Sequence, residues 1–252
     1  MKFEELEARF RALESQNDAR LPDDKWIVAR LDGRGFTRLT KRSLELEKPF
    51  DLRFHEAMKT TVAHLFECGF SVRLAFSQSD EISLLFDQTE RGFDGKVRKW
   101  LSVLAGEASG AFSLAMKSLG AFDCRLLALE NDGLVEDYFR WRQADATRNA
   151  LSACCYWKLR AQNLSARAAT KQLDGLSPPQ KRVWLDQNGM DFDALPLWQT
   201  RGFGATWEEF EKEGFNPTTG EIVLATRKRL RFESELPDKK DFGGWLREKI
   251  HE

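Results

Sequence analysis

Phe3, Leu6, Phe10 and Leu13 recur at helical spacing, which predicts an amphipathic helix over 3–15. Pro22-Asp23-Asp24 ends that segment. "WIVARL" (26–31) then reads as a buried strand, stopped by Asp32-Gly33. Pro49 and Asp51 open a second helix whose apolar side is Phe54, Met58, Val62 and Leu65, with Gly69 as its C-terminal cap. "SVRLAF" and "ISLLF" follow as a hairpin, with Val72, Leu74 and Phe76 alternating on one strand and Ile82, Leu84 and Phe86 on the other. A long helical run covers 96–119, capped by Gly120, and "FDCRLLAL" (122–129) is a fourth strand.

The order strand, helix, strand, strand, helix, strand predicts an α+β fold. Its expected form is a four-stranded antiparallel ferredoxin-like sheet (βαββαβ) with both helices on one face. We expect residues 1–133 to form this core with the N-terminal helix. Residues 134–252 add a helical region and a C-terminal extension, packed as one unit with the core. Within that second part, 134–188 reads as helical, and a hairpin is expected around "FNPTTGEIVLATRKRLRF".

Composition changes this picture little. The chain has 252 residues, 42% apolar and 31% charged, as in an ordinary soluble globular protein. A net charge of -1 means that any polyanion would have to meet local basic patches. Of the 4 cysteines, Cys68 and Cys124 stand alone and Cys154-Cys155 are adjacent, so neither a zinc site nor a disulfide framework is expected. Their small number suggests reduced thiols in a cytoplasmic setting. The acidic N-terminal helix does not read as a signal peptide, and no apolar run is long enough to span a bilayer.

The hairpin tip carries the chemistry. "LAFSQSDEISLLF" places Asp80 and Glu81 where two apolar strands reverse. In the expected topology the first strand ends at Asp32, at the same end of the sheet, and the third strand lies beside the first. Asp32 and Asp80 should therefore converge. Carboxylates held a few ångströms apart repel unless a cation compensates them, and oxygen-only ligands favour Mg²⁺. Such a constellation suits phosphoryl or nucleotidyl transfer. Taken singly, an Asp after a strand or an Asp-Glu turn is ordinary turn chemistry. It is their meeting at one end of one sheet that favours a site.

Phosphate-binding features surround these acids. Gly33 and Gly35 allow close backbone approach, and Arg34, Arg38 and Lys41 add positive charge. Lys48 and Asp51 lie at a helix N-terminus, where Asp51 is also a natural N-cap. Lys96, Arg98 and Lys99 open the long second helix of the core, as a solvated charged face or as triphosphate contacts.

Four segments in order resemble the tRNA(His) guanylyltransferase family: "VARLDGRGFTR" (28–38), "EKPFD" (47–51), "FSQSDEISLLF" (76–86) and "DYFRWRQAD" (137–145). The likeness runs from about residue 3 to about 202. It implies a polymerase-palm fold and two Mg²⁺ ions, held by Asp32 and Asp80 with the Gly33 carbonyl, and makes Glu81 essential in catalysis. The loop Asp32, Gly33, Arg34, Gly35, Phe36, Thr37, together with Ser79 and Asp80, would hold the nucleotide. Lys48, Asp51, Lys96 and Lys99 would handle the triphosphate. Arg142 and Arg148 are the expected tRNA contacts. The implied reaction activates a 5′-monophosphate tRNA end with ATP or GTP and then adds GTP in the 3′-to-5′ direction. The implied assembly is a homotetramer, a dimer of dimers.

The chain departs from the family pattern at "TRNALSA" (147–153), where a His-, Asn- and Tyr-rich segment is usual. Thr37 replaces a frequent His, and Arg201-Gly202 replaces Lys-Gly. These departures resemble the branch that repairs truncated tRNA 5′ ends against a template. A nucleotide cyclase shares the sheet and the paired acids, but the Trp-Arg-Gln-Ala-Asp helix and the helical half argue against it. A catalytically silent RNA-binding module is opposed by the intact Asp32, Lys48, Asp80 and Glu81.

Overall fold

The computed structural model describes residues 2–16, 18–40, 44–215 and 222–251, without the side chains of Phe215 and Val223. Lys41 and the tip of the C-terminal hairpin lie outside the described residues.

The core strands are β1 (Trp26–Gly33), β2 (Val72–Gln78), β3 (Glu81–Phe86) and β4 (Phe122–Leu129), with α3 (Leu52–Glu67) and α4 (Val97–Met116) as crossovers. They pair antiparallel in the order β4-β1-β3-β2, as the sequence pattern predicts. The sheet does not stop there. β5 (Phe203–Phe215) pairs with β2, and β6 (Ile222–Glu233) pairs with β5, giving six strands in one sheet. The expected C-terminal hairpin is thus longer than predicted and continues the core sheet.

Helices α3 and α4 pack on one face over Ile27, Ala29, Leu31, Ile82, Leu84 and Phe86. The other face, carrying Trp26, Val28, Leu74, Phe76 and Leu85, is covered by α5 (Asp132–Ala161) and α9 (Lys239–His251). The register slips between Val72 and Leu74, so Val72 faces α3 and α4 while Leu74 and Phe76 face α5 and α9. A simple alternation places all three on one face; a β-bulge turns the strand over.

Shorter helices α6 (Ala166–Leu173), α7 (Pro178–Gln187) and α8 (Leu197–Arg201) pack along α5. The N-terminal helix α1 (Phe3–Ser15) buries none of its residues, and Phe3, Phe10 and Leu13 face solvent. α4 ends at Met116 with Lys117 in the left-handed region (φ +50°), earlier than the predicted cap at Gly120. All four cysteines are free, and burial pushes the Cys68 and Cys155 thiols up to about 11 and those of Cys124 and Cys154 to about 12. Among the described residues no helix is long and apolar enough to cross a membrane.

Candidate active site

β1 ends and β3 begins at the same end of the sheet, with Asp32 directly opposite Glu81. Gln78 and Glu81 also pair, so Ser79 and Asp80 form a two-residue turn at the hairpin tip. The Gly33 N–H donates to the Asp80 carbonyl at 2.9 Å. A Cβ at Gly33 would lie 2.6 Å from the Phe36 ring and 2.8 Å from the Asp80 Cβ. Only glycine allows this close approach of strand end and hairpin tip. Ser79 adopts φ +53°, and its hydroxyl donates to Asp80 at 3.1 Å.

Burial pushes the Asp80 carboxyl up to about 6, and the neighbouring charges of Asp32 and Glu81 push in the same direction. Burial also raises Glu81, but Arg142 opposes it. The Arg142 guanidinium forks both oxygens of Glu81, Nε to Oε1 at 2.6 Å and Nη2 to Oε2 at 2.7 Å, and also reaches Asp145 at 3.0 Å. Its side chain is 6% exposed. Arg142 is therefore not a surface contact for tRNA, as the sequence suggested; it compensates a buried carboxylate. Arg148 does stand in solvent, ion-paired with Asp145.

The chain leaves β1 through Gly35 (φ +73°) and the short turn α2 (Phe36–Arg38). Phe36 is buried against Phe54, Phe112 and Phe122. Its ring anchors the loop in the core and leaves only its backbone for a ligand. Arg34 and Thr37 are exposed on the same loop. Asp51 caps α3, accepting from the backbone N–H groups of Glu47, Arg53 and Phe54. The Arg53 side chain adds to these bonds and holds the Asp51 carboxyl down at about 2. Lys48 donates to the Thr40 carbonyl at 2.6 Å and lies 5.6 Å from the Trp157 ring centroid.

Between loop, hairpin and α5 lies a cleft of about 280 Å³ lined by Thr37, Lys48, Asp51, Ser79 and Asp80. Its far wall is Asn149, Ala150, Ala153 and Trp157 of α5, with Trp198 of α8, so part of "TRNALSA" faces this cleft. Trp198 stacks on His55 at 4.1 Å between centroids. Sequence reading missed His55, Trp157 and Trp198, which come from three separate elements and share no local pattern.

Lys96 and Lys99 are not brought here. α4 follows the far end of β3, so its first turn lies at the opposite end of the sheet, a helix of 20 residues away from the acids (roughly 30 Å at 1.5 Å per residue). There Arg98 pairs with Asp18 instead.

A palm-like sheet with helices on both faces and acids gathered at one strand end is an arrangement suited to nucleotidyl transfer. Two family models match in succession: "tRNAHis guanylyltransferase" over residues 7–130 and "Thg1 C terminal domain" over 133–239. The chain belongs to the tRNA(His) guanylyltransferase family. It is 28% identical over 207 residues to a probable tRNA(His) guanylyltransferase of Drosophila melanogaster, covering 77% of this chain and 72% of the relative. It is 25% identical over 211 residues to the tRNA(His) guanylyltransferase of Schizosaccharomyces pombe, covering 77% and 80%. A bacterial tRNA(His) guanylyltransferase-like protein solved in complex with GTP superimposes with a TM-score of 0.74 at 26% identity, covering 98% of this chain and 100% of that one. A matching structure in complex with ATP gives 0.75 at 26% identity and 98% and 100% coverage.

Proposed function

We propose that the chain adds nucleotides to the 5′ end of tRNA in the 3′-to-5′ direction. The observation that carries this reading is the convergence of Asp32, Asp80 and Glu81 beside the cleft holding Lys48. The residues present fit divalent metal: Asp32 and Asp80 offer only oxygen, the Gly33 backbone stands against Asp80 where a Cβ would clash, and burial makes the Asp80 carboxylate seek a compensating charge. Asp32 and Asp80, with the Gly33 carbonyl, would hold Mg²⁺, which when bound neutralises phosphate charge in phosphoryl transfer.

The chain's own residues position the partners. The backbone of the loop 32–37, with Ser79, holds the nucleotide, and Lys48 meets the triphosphate at the α3 N-terminus. ATP or GTP first activates a 5′-monophosphate end, releasing pyrophosphate. The 3′-hydroxyl of an incoming nucleotide then bonds to the RNA 5′ phosphorus as the activating nucleoside monophosphate leaves. Arg142 forks Glu81, favouring its charged form against burial, and fixes it beside Asp32. We place the enzyme in the cytoplasm, and its exposed α1 stripe supports a homotetramer, which light scattering in solution would check.

Small residues in 147–153 replace groups able to read bases, so pairing with the opposite tRNA strand is the remaining source of selectivity. The test is labelled GTP and ATP with 5′-mono- and triphosphorylated tRNAs, full-length and truncated. Incorporation is expected to follow the base facing the gap. Addition of G alone, and only to tRNA(His), would remove the templated reading; no addition to any tRNA would remove the activity itself.

A further inference from the structure

Trp141 is an exposed aromatic within one side chain of the acids. It is 53% exposed in the middle of α5, while its neighbours Tyr138 and Arg142 are buried. The Arg142 guanidinium lies 4.3 Å from its ring centroid and that of Arg30 lies 5.8 Å away. Arg142 forks Glu81, and Arg30 sits two residues before Asp32 on the same face of β1, with its Nε buried and without a hydrogen-bond partner. Two cations therefore polarise an indole that stands beside the catalytic carboxylates yet half in solvent.

Beyond Trp141 a cavity of about 820 Å³ opens between α5, α7, α8 and the start of α9. Arg148, Arg182, Arg201, Lys239 and Lys240 line it, against Asp145, Asp193 and Asp238. Arg148 and Arg182 are ion-paired with Asp145 and Asp193, which holds their guanidiniums at its wall. An excess of cations along a groove, ending in an exposed ring, is the combination that takes single-stranded nucleic acid: backbone along the charges, base on the ring. The nucleotide cleft has aromatics of its own in Trp157 and Trp198, so the Trp141 side is left for the RNA strand.

We propose that Trp141 is the stacking platform for a nucleobase at the RNA end, with the neighbouring cavity carrying the phosphate backbone. This rests on the proposed activity at tRNA 5′ ends. The probe is a 5′-monophosphorylated acceptor-stem hairpin, made abasic either at the 5′-terminal nucleotide or at the one facing it, with binding read by fluorescence anisotropy. Wild-type protein is expected to bind one of the two abasic hairpins about tenfold more weakly than the intact RNA. Trp141→Ala should bind intact and abasic RNA alike, Trp141→Phe should keep most of the difference, and GTP binding should be unchanged in both. A wild-type protein indifferent to either abasic site, or a Trp141→Ala variant that still discriminates, overturns the proposal. Loss of GTP binding with RNA binding intact would overturn it too, by assigning the ring to the incoming nucleotide. Labelled-GTP addition run in parallel separates the two readings. Base-dependent binding without addition removes the activity and keeps the platform; addition with base-independent binding removes the platform alone.

Discussion

At the end of the sheet where β1 stops, Asp32, Asp80 and Glu81 stand together, with Asp80 and Glu81 drawn away from water and their carboxyls pushed up by burial. At the other end, where α4 begins, Arg98 meets Asp18, Arg91 meets Asp23 and Arg20 meets Asp94 at the surface. Both ends are charge-rich in the sequence. Surface pairs are satisfied by each other and by water, and contribute little. Burial strips hydration from Asp80 and Glu81; Arg142 answers it at Glu81, while the Asp80 carboxyl stays pushed up. Burial, more than the number of charges, separates a site from a decorated surface.

The sharpest way to break this contrast is at Arg142. Arg142→Met leaves Glu81 buried beside Asp32 without its partner, which is expected to cost about 3–5 kcal/mol. The melting temperature of a chain this size should fall by about 6–20 °C. An unchanged melting curve would mean that Glu81 is not held by this pair.

Asp80→Ala should show the opposite profile. Nucleotide addition is expected to drop by a factor on the order of 10²–10³ or more. Stability should hold or rise slightly, because a repulsive carboxylate is gone. A variant that unfolds as it loses activity would recast Asp80 as a structural residue.

A pH titration sharpens the same point within the cleft. Burial between Trp198 and Phe203 lowers His55 from 6.5 to about 4. The unfolded chain then binds this proton near pH 6.5 and the native chain only near pH 4, so the His55 contribution to stability falls as pH drops through that window, while Asp80, raised to about 6, contributes in the opposite sense. The loss is up to roughly 3 kcal/mol. Relative to His55→Phe, wild-type urea-unfolding stability should fall by up to that amount between pH 6.5 and 4, a difference from which the opposite contribution of Asp80 cancels; a pH-independent difference would place the titrating group elsewhere. Asp51, held near 2, loses its contribution only below its ordinary 3.8.

The smallest effects belong to the far end of the sheet. Arg98→Ala should leave the melting temperature unchanged. Lys96→Ala and Lys99→Ala should leave activation of a 5′-monophosphate end within about twofold of wild type, since screened surface charges act weakly at this range. Lys48→Ala should impair that step far more than addition to an already triphosphorylated end. Equal effects of Lys48 and Lys99 would erase the distinction between the two ends.

Much of this was legible in the sequence because it is local or periodic. Alternation along Ile82, Leu84 and Phe86 and the 3.6-residue spacing of Met58, Val62 and Leu65 set the palm core, and the order of elements brought Asp32 to Asp80. What escaped depends on packing between distant segments. The bulge at β2 turns Leu74 to the other face without any change in composition. Arg142 and Arg148 look alike six residues apart on one helix; at 3.6 residues per turn they point about 120° apart, so the face of α5 that packs on the sheet sends one to Glu81 and leaves the other in solvent. Lys96 and Lys99 were misplaced because basic residues at a helix start suggest phosphate wherever that start lies.

β3 is flanked by β1 and β2 and covered by helices on both faces, so residues 82–86 are all buried. Amides in such a strand exchange with solvent only when the whole molecule opens, and β3 is expected to be the slowest-exchanging element of the chain. Asp80 and Glu81 are fastened to its open end. The carboxylates thus cannot drift apart through local fraying, and their mutual repulsion persists for as long as the protein is folded.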